Sequence, residues 1–274
     1  MNDLENMQVE DLADWYRLWY APNNATLVVV GDVEPQEVFR LAKHYFGPLK
    51  RENVPVLKPL REPQQKGEAR AVVKVPANEP YMIMGYKTPA LTTAEKGWEP
   101  YALEMLVAVL DGGNSARFSR NLVRGSEVAV SAGADYNAFT RLPGMLLIDG
   151  TPAQGRTLQE LEQALRQEIG RLRSEPVTEE ELERVRTQVI ASKVYELDSV
   201  FYQAMEIGML ETVGLDWRLI DQYVAALKQV TPEQVKEVAQ RYLVDDNLTV
   251  TQLEPQPMDD VKPVRKSVGG RHGS

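Results

Sequence analysis

Apolar positions recur with helical spacing from the start of the chain. Leu12, Trp15, Tyr16 and Trp19 fall three or four residues apart and share one face of a helix predicted over residues 9–20. Pro22-Asn23-Asn24 stops that helix, and the continuous apolar run over 26–30 predicts a buried strand. Gly31 to Pro35 turns the chain into a second helix over 35–46, ended by Gly47-Pro48. Residues 50–68 hold three prolines and many charges, bury little, and predict an extended linker.

Two strands are predicted next, at 69–75 and 81–87. Thr93 is the expected N-cap of a helix running through Trp98 to Leu110, closed by Asp111-Gly112-Gly113. A shorter helix from Ser115 would carry Arg117, Arg120 and Arg124 on one side. Strands near 127–136 and 144–150 form a predicted hairpin around Pro143-Gly144. Thr157 with Glu160 and Thr178 with Glu181 are capping-box patterns that open helices over 157–173 and 178–197. Helices over 199–212 and 216–229 follow, and Thr231-Pro232 opens another to about 242. A closing strand is expected at 248–253, and the tail beyond Pro255 shows no periodicity and predicts disorder. Strands at both ends of a helix-rich middle give an α+β class: a mainly antiparallel sheet layered with helices on one face.

The opening segment returns near the end in a weaker form. Val9 to Leu12, Tyr20, then Asn24-Ala25-Thr26 is echoed by Thr231 to Val235, Tyr242, then Asn247-Leu248-Thr249. The two tyrosines lie 222 residues apart and the two asparagines 223. A long-period echo of this kind marks a duplicated structural unit. Almost nothing precedes the first copy, so the chain reads as the tail of one repeat followed by the whole of the next.

Composition narrows the function. The net charge of −9 argues against a nucleic-acid surface, which needs a clustered positive field. No apolar run approaches the roughly 18–20 residues that span a bilayer. With no cysteine there are no disulfides and no thiolate metal sites. The two histidines, His44 and His272, are too few for a zinc site, and His44 falls late in a helix where a cation suits the dipole. Val28-Val29-Val30-Gly31 has one glycine where a dinucleotide turn needs three. Glu179, Glu180, Glu181 and Glu183 suit the start of a helix for dipole reasons alone. The segment from Asp111 to Arg117 is richer: a glycine turn (Gly112, Gly113) offers backbone N–H groups, and Arg117, Arg120 and Arg124 add cations that suit a peptide carbonyl or carboxylate. The same residues also read as a helix cap followed by surface arginines paired with local acids such as Glu127.

Two blocks together resemble the M16 family of zinc metallopeptidases, the pitrilysin, insulysin and mitochondrial-processing-peptidase group. Leu12 to Tyr16 with Tyr20 to Asp32 is similar to the close of that family's first domain. Leu110 to Phe118 with Leu122-Val123-Arg124 is similar to the glycine turn and arginine helix of its second. The resemblance covers roughly residues 4–255 and implies an M16 metallopeptidase-like (LuxS/metallohydrolase-like) fold paired into a clam-like chamber. It implies four parts: 1–49 the end of a first repeat, 50–68 a linker, 69–255 a second, non-catalytic domain, and 256–274 a disordered tail. Family members hold zinc with a His-x-x-Glu-His motif and a distant Glu, and this sequence has no such motif. The helix bearing Ala102 to Leu106 is apolar where a metal domain would show histidines. No cofactor is therefore expected in this chain, with zinc expected in the full-length enzyme. Many non-zinc M16 domains also use an arginine, with a tyrosine seven residues later, to orient substrate. Arg124 matches the arginine, but position 131 is Ser131 and the nearest tyrosine is Tyr136.

The expected role is the non-zinc-binding part of an M16 peptidase, walling the chamber for peptide substrate and contacting a zinc-bearing M16 domain or partner subunit. The resemblance places it in the periplasm or outside the cell. The alternatives are a catalytically inactive M16 homologue serving as a scaffold or assembly subunit, and a generic α+β interaction module.

Overall fold

Five strands carry the fold: β1 (Ala69–Pro76), β2 (Tyr81–Thr88), β3 (Ala129–Tyr136), β4 (Gly144–Pro152) and β5 (Leu248–Gln256), in the order β1-β5-β2-β4-β3. The computed structural model describes residues 2–57 and 63–258, so the predicted tail beyond 258 and the middle of the linker lie outside the described residues. β5 pairs in parallel with β1, Ala69 opposite Thr249, and antiparallel with β2, Tyr81 opposite Leu253. β2 with β4 and β4 with β3 are antiparallel too. The mainly antiparallel sheet read from the sequence is the observed one, with one parallel pair at its edge.

The helices are α1 (Asn2–Glu5), α2 (Val9–Trp19), α3 (Pro35–Phe46), α4 (Glu99–Asp111), α5 (Leu158–Ser174), α6 (Glu179–Glu196), α7 (Val200–Val213), α8 (Leu219–Lys228) and α9 (Pro232–Tyr242). Alternation along β4 puts Leu146 and Ile148 on the buried face, beside Met82, Met84 and Tyr86 of β2 and Leu248 and Val250 of β5. Leu103 and Leu106 of α4, Leu161 and Leu165 of α5, and Val235 and Val238 of α9 complete the core. The other sheet face is only half-buried, as expected of an antiparallel sheet covered on one side.

Caps set the helix starts. Thr157 and Glu160 form a reciprocal capping box, and so do Thr231 and Gln234. At α6 the box is half made: Thr178 accepts from the Glu181 N–H, but the Glu181 carboxylate turns to Arg117 instead. Helix α4 begins at Glu99, not near Thr93. Pro100 at its second position fits a first turn, while the Thr93 hydroxyl accepts from the Ala90 N–H in a separate turn.

The predicted strand at 26–30 does not form. These residues run extended with no ladder among the described residues, because no strand lies beside them. The unit they belong to is nonetheless a physical copy of the closing one. After α2 a 3₁₀ turn (Pro22–Asn24) leads to the extended run, and after α9 a 3₁₀ turn (Asp245–Asn247) leads to β5. In both, an asparagine amide caps the helix five residues back: Asn24 donates to the Trp19 carbonyl at 2.8 Å, and Asn247 to the Tyr242 carbonyl at 3.1 Å. The closing copy is packed. In the opening copy Leu12, Trp15 and Tyr16 remain 58%, 61% and 54% exposed.

Ion pairs tie the layers together. Arg166 of α5 reaches Glu68, Glu162 and Asp245, and Arg70 of β1 reaches Glu68 and Glu162. Burial pushes the Glu162 carboxyl up, but its hydrogen bonds from Arg70 and Arg166 hold it below the ordinary value. Arg186 of α6 donates to the carbonyls of Leu227 and Val230, closing the end of α8.

A buried acid sits in the helix layer. Glu104 of α4 accepts from the Tyr223 hydroxyl of α8, and its second oxygen has no partner among the described residues. Lys193 of α6 lies 5.4 Å over the Tyr223 ring and pairs with Glu206 of α7 at 2.5 Å. Burial raises Glu104 from 4.5 to about 7, against the pull of the Tyr223 hydroxyl and Lys193. The folded chain therefore binds an extra proton between those values. The stability this confers is complete below about pH 4.5 and is lost as pH rises through about 7. Glu104→Gln keeps the Tyr223 hydrogen bond and removes the titration. Denaturant unfolding at pH 5 and pH 8 should show the natural chain losing on the order of 2 kcal/mol more than the variant over that interval. Equal losses would refute a proton on Glu104.

Candidate functional site

The glycine turn and arginine segment sit between the end of α4 and the edge strand β3. Asp111-Gly112-Gly113 ends α4, with Gly113 at φ +99, a conformation that favours glycine. The turn's N–H groups are occupied: Gly112 donates to the Ala108 carbonyl at 2.7 Å and Gly113 to the Asp111 carbonyl at 2.8 Å. Both N–H groups are thus engaged within the turn.

The arginines do not form the expected one-sided stripe. Phe118–Val123 is π-helical, with Arg124 N–H bonded to the Ser119 carbonyl and Ser126 N–H to the Asn121 carbonyl, five residues apart. The wider turn rotates positions i+3 and i+7 away from i, so the three guanidiniums diverge. Phe118 and Leu122 are buried and anchor the segment to the core. Arg117 turns inward onto Glu181 of α6 in a two-point pair, Nε to Oε1 at 3.0 Å and Nη2 to Oε2 at 2.6 Å, with both side chains 13% exposed. Burial raises the Glu181 carboxyl, and Arg117 overcomes that and holds it below its usual value. Arg120 is exposed and donates to the Asn121 side chain at 3.1 Å. Arg124 is exposed and folds back onto the carbonyls of Asn114 and Ser119. None of the three pairs with Glu127, the local acid weighed against ligand binding; Glu127 stands alone among non-glycine described residues at positive φ, +50.

The arginine–tyrosine clamp is not assembled. Ser131 lies exposed on β3, while the Tyr136 hydroxyl donates to the Pro89 carbonyl at 2.7 Å, away from Arg124. Beneath β3 lies an acid pair that the sequence did not single out. The Asp111 carboxylate accepts from the Ala134 N–H at 3.2 Å, and Asp149 of β4 accepts from the Tyr81 hydroxyl at 2.7 Å. A Cβ at Gly133 would meet both carboxylates, at 3.6 Å and 3.0 Å, so the glycine makes room for them. Burial raises Asp111, the Ala134 N–H lowers it, and Asp149 raises it further. Nothing in the spacing of these residues marks them as neighbours; they meet only once α4 packs on β3.

The residues present do not fit a zinc site. Among the described residues, no three His, Asp or Glu side chains are grouped to hold a metal. His44 is exposed at the end of α3, edge-on to Tyr45, and His272 lies outside the described residues. On α4 the positions flanking Glu104 are Leu103 and Met105, both fully buried, and Glu104 itself is taken by Tyr223.

Comparison with known proteins agrees with this geometry. The family described as the peptidase M16 inactive domain matches residues 6–189, well over half of the chain. The zinc protease PqqE of Helicobacter pylori is 28% identical over 267 residues, covering 93% of this chain and 57% of that protein. A protease structure from Helicobacter pylori superposes with a TM-score of 0.85 at 24% identity, over 93% of this chain and 61% of that one. A peptidase M16 inactive domain from Pseudomonas fluorescens superposes with a TM-score of 0.75 at 16% identity, over 93% and 60% of the two chains. The chain thus spans somewhat more than half the length of these relatives. It belongs to the M16 peptidase family and carries that family's inactive domain.

Proposed function

We propose that this chain is the non-catalytic half of a zinc peptidase, serving as a chamber wall for extended peptide and as the docking surface for a zinc-bearing M16 half. The observation that carries the reading is the opening unit. It copies the α9–Asn247–β5 unit down to its asparagine cap, yet its strand has no ladder and its apolar helix face no cover among the described residues. Zinc-bound water chemistry would then belong to the other half. The parts proposed are 1–49 with that half, 50–68 as connection and 69–255 as the inactive domain. The connection is fastened at its ends, by Asn23 to the Glu52 backbone and by Gln65 to the Leu248 carbonyl. The family resemblance supports a periplasmic or secreted location for the parent protein.

The test is reconstitution with the upstream coding sequence restored. The complete protein should bind zinc and cleave an unfolded peptide, with activity lost on chelation and recovered with zinc. The chain alone should do neither, and one tightly held zinc per isolated chain after dialysis would overturn the reading. A complete protein that folds but binds no zinc would instead support the inactive scaffold.

The arginines separate wall from framework. Arg124→Ala should change stability by under about 0.5 kcal/mol, as exposed substitutions do, while lowering peptide turnover in the reconstituted enzyme. Arg117→Ala strands Glu181 in a half-buried site and should cost on the order of 2 kcal/mol in denaturant unfolding. Reversed effects, with Arg124 needed for stability and Arg117 dispensable, would contradict this assignment.

A further inference from the structure

A polar cavity of about 540 Å³ opens between the end of the π-helical segment and α5, and the proposed wall and docking roles do not use it. Its lining includes Arg120, Asn121, Arg156, Glu168 and Arg171. Asn121 links its two sides. The asparagine oxygen accepts from Arg120 Nε at 3.1 Å, and its amide donates to Glu168 Oε1 at 3.0 Å. Each end of this chain of bonds is open: the terminal nitrogens of Arg120 bond no described residue, and Glu168 Oε2 is buried with no partner among the described residues. Glu168 is 2% exposed, so that orphan acceptor carries a real desolvation cost.

Arg171 covers the acid. It donates to Glu168 Oε1 at 2.6 Å, yet its own side chain is 59% exposed and free to turn outward. Arg156 is held on Glu160 at 3.2 Å and on the Ser126 carbonyl at 3.3 Å. Three guanidiniums against two carboxylates leave the cavity with a net single positive charge.

We infer that this cavity is a binding site for the carboxyl-terminal residue of a peptide, with its carboxylate on Arg120 and Arg171 and its last amide N–H on Glu168. Only Nη1 of Arg171 is engaged on Glu168, so the rest of its exposed guanidinium can meet the ligand carboxylate while the ion pair stays intact. A carboxylate brings one charge and neutralises this cavity, whereas a phosphate brings about 1.5 to 2 and would leave it net negative. Two guanidiniums converging on one carboxylate give strong charge-assisted hydrogen bonds. The site needs only residues of this chain, so its test is independent of any zinc-bearing half.

The probe is N-acetyl-trialanine, which has one carboxylate and no free amine, titrated into the whole chain and followed by calorimetry and by the arginine Nε–H resonances. The free acid should bind one to one. Its carboxamide, the analogue N-methylated at the last amide, and the free acid on Arg120→Gln should each bind at least tenfold more weakly, while exposed Arg141→Gln should leave binding unchanged. Arg120→Gln alters an exposed side chain, and an unchanged melting temperature will show that the fold persists. The inference is overturned if the carboxamide or the N-methyl analogue binds as well as the free acid. It is equally overturned if Arg120→Gln has no effect, or if inorganic phosphate competes as tightly as the peptide.

Discussion

Strand β5, the last in sequence, lies between β1 and β2, with ladders to Ala69–Pro76 on one side and Tyr81–Leu253 pairing on the other. Without it the sheet divides into the lone strand β1 and the β2-β4-β3 group, and Leu248 and Val250 leave the core. The unit that delivers β5, a helix closed by an asparagine side chain and then a β-branched run, is the one that also opens the chain. Delivered into a sheet it becomes a strand. With no sheet to receive it, the copy at 26–30 stays extended and unpaired, though Val28 lies against Gly208 of α7. Strand formation here is decided by available partners more than by local propensity.

The helix layer adds a second constraint, the placement of charge. Arg117 couples the π-helical segment to α6, Arg166 couples α5 to the strand-bearing edge, and Arg241 joins α9 to the buried Glu99 at 2.6 Å. These arginines pair with buried or partly buried acids of other elements, so they belong to the framework. What remains for ligands are exposed cations, Arg120 and Arg124 among them, and exposed apolar faces with no cover among the described residues. An acidic net charge and an arginine-rich turn are compatible because Arg117, Arg166 and Arg241 are each paired with glutamates.

Much of this was legible in the sequence, and the exceptions are instructive. Thr157-x-x-Glu160 marked one helix start as a capping box and Thr231-Pro232 another as a cap before a first-position proline, because both are local devices. The echo of Asn24 in Asn247 was legible because it repeats the same short pattern at both ends of the chain. The π-helical turn was not legible, since Ser115 to Arg124 has the composition of an ordinary helix and the i, i+4 pair Phe118 and Leu122 would share a face in either geometry. The one-sided arginine stripe failed with it. Glu181 read as a helix-start acid and is also the partner of Arg117, 64 residues away, a contact that no spacing announces. Glu104 is one polar residue in an apolar helix, and that isolation is the signal the sequence offers. Its partners Tyr223 and Lys193 come from other helices.

The opening unit is proposed to pair, through residues 26–30, with a sheet of the zinc-bearing half. Hydrogen exchange at the amides of residues 26–30 tests it most directly, measured in the chain alone and in the protein with its upstream sequence restored. The account predicts fast exchange in the chain alone and protection approaching that of residues 248–253 in the restored protein. Strong protection in the isolated chain, or exposure that persists in the complete protein, would contradict it.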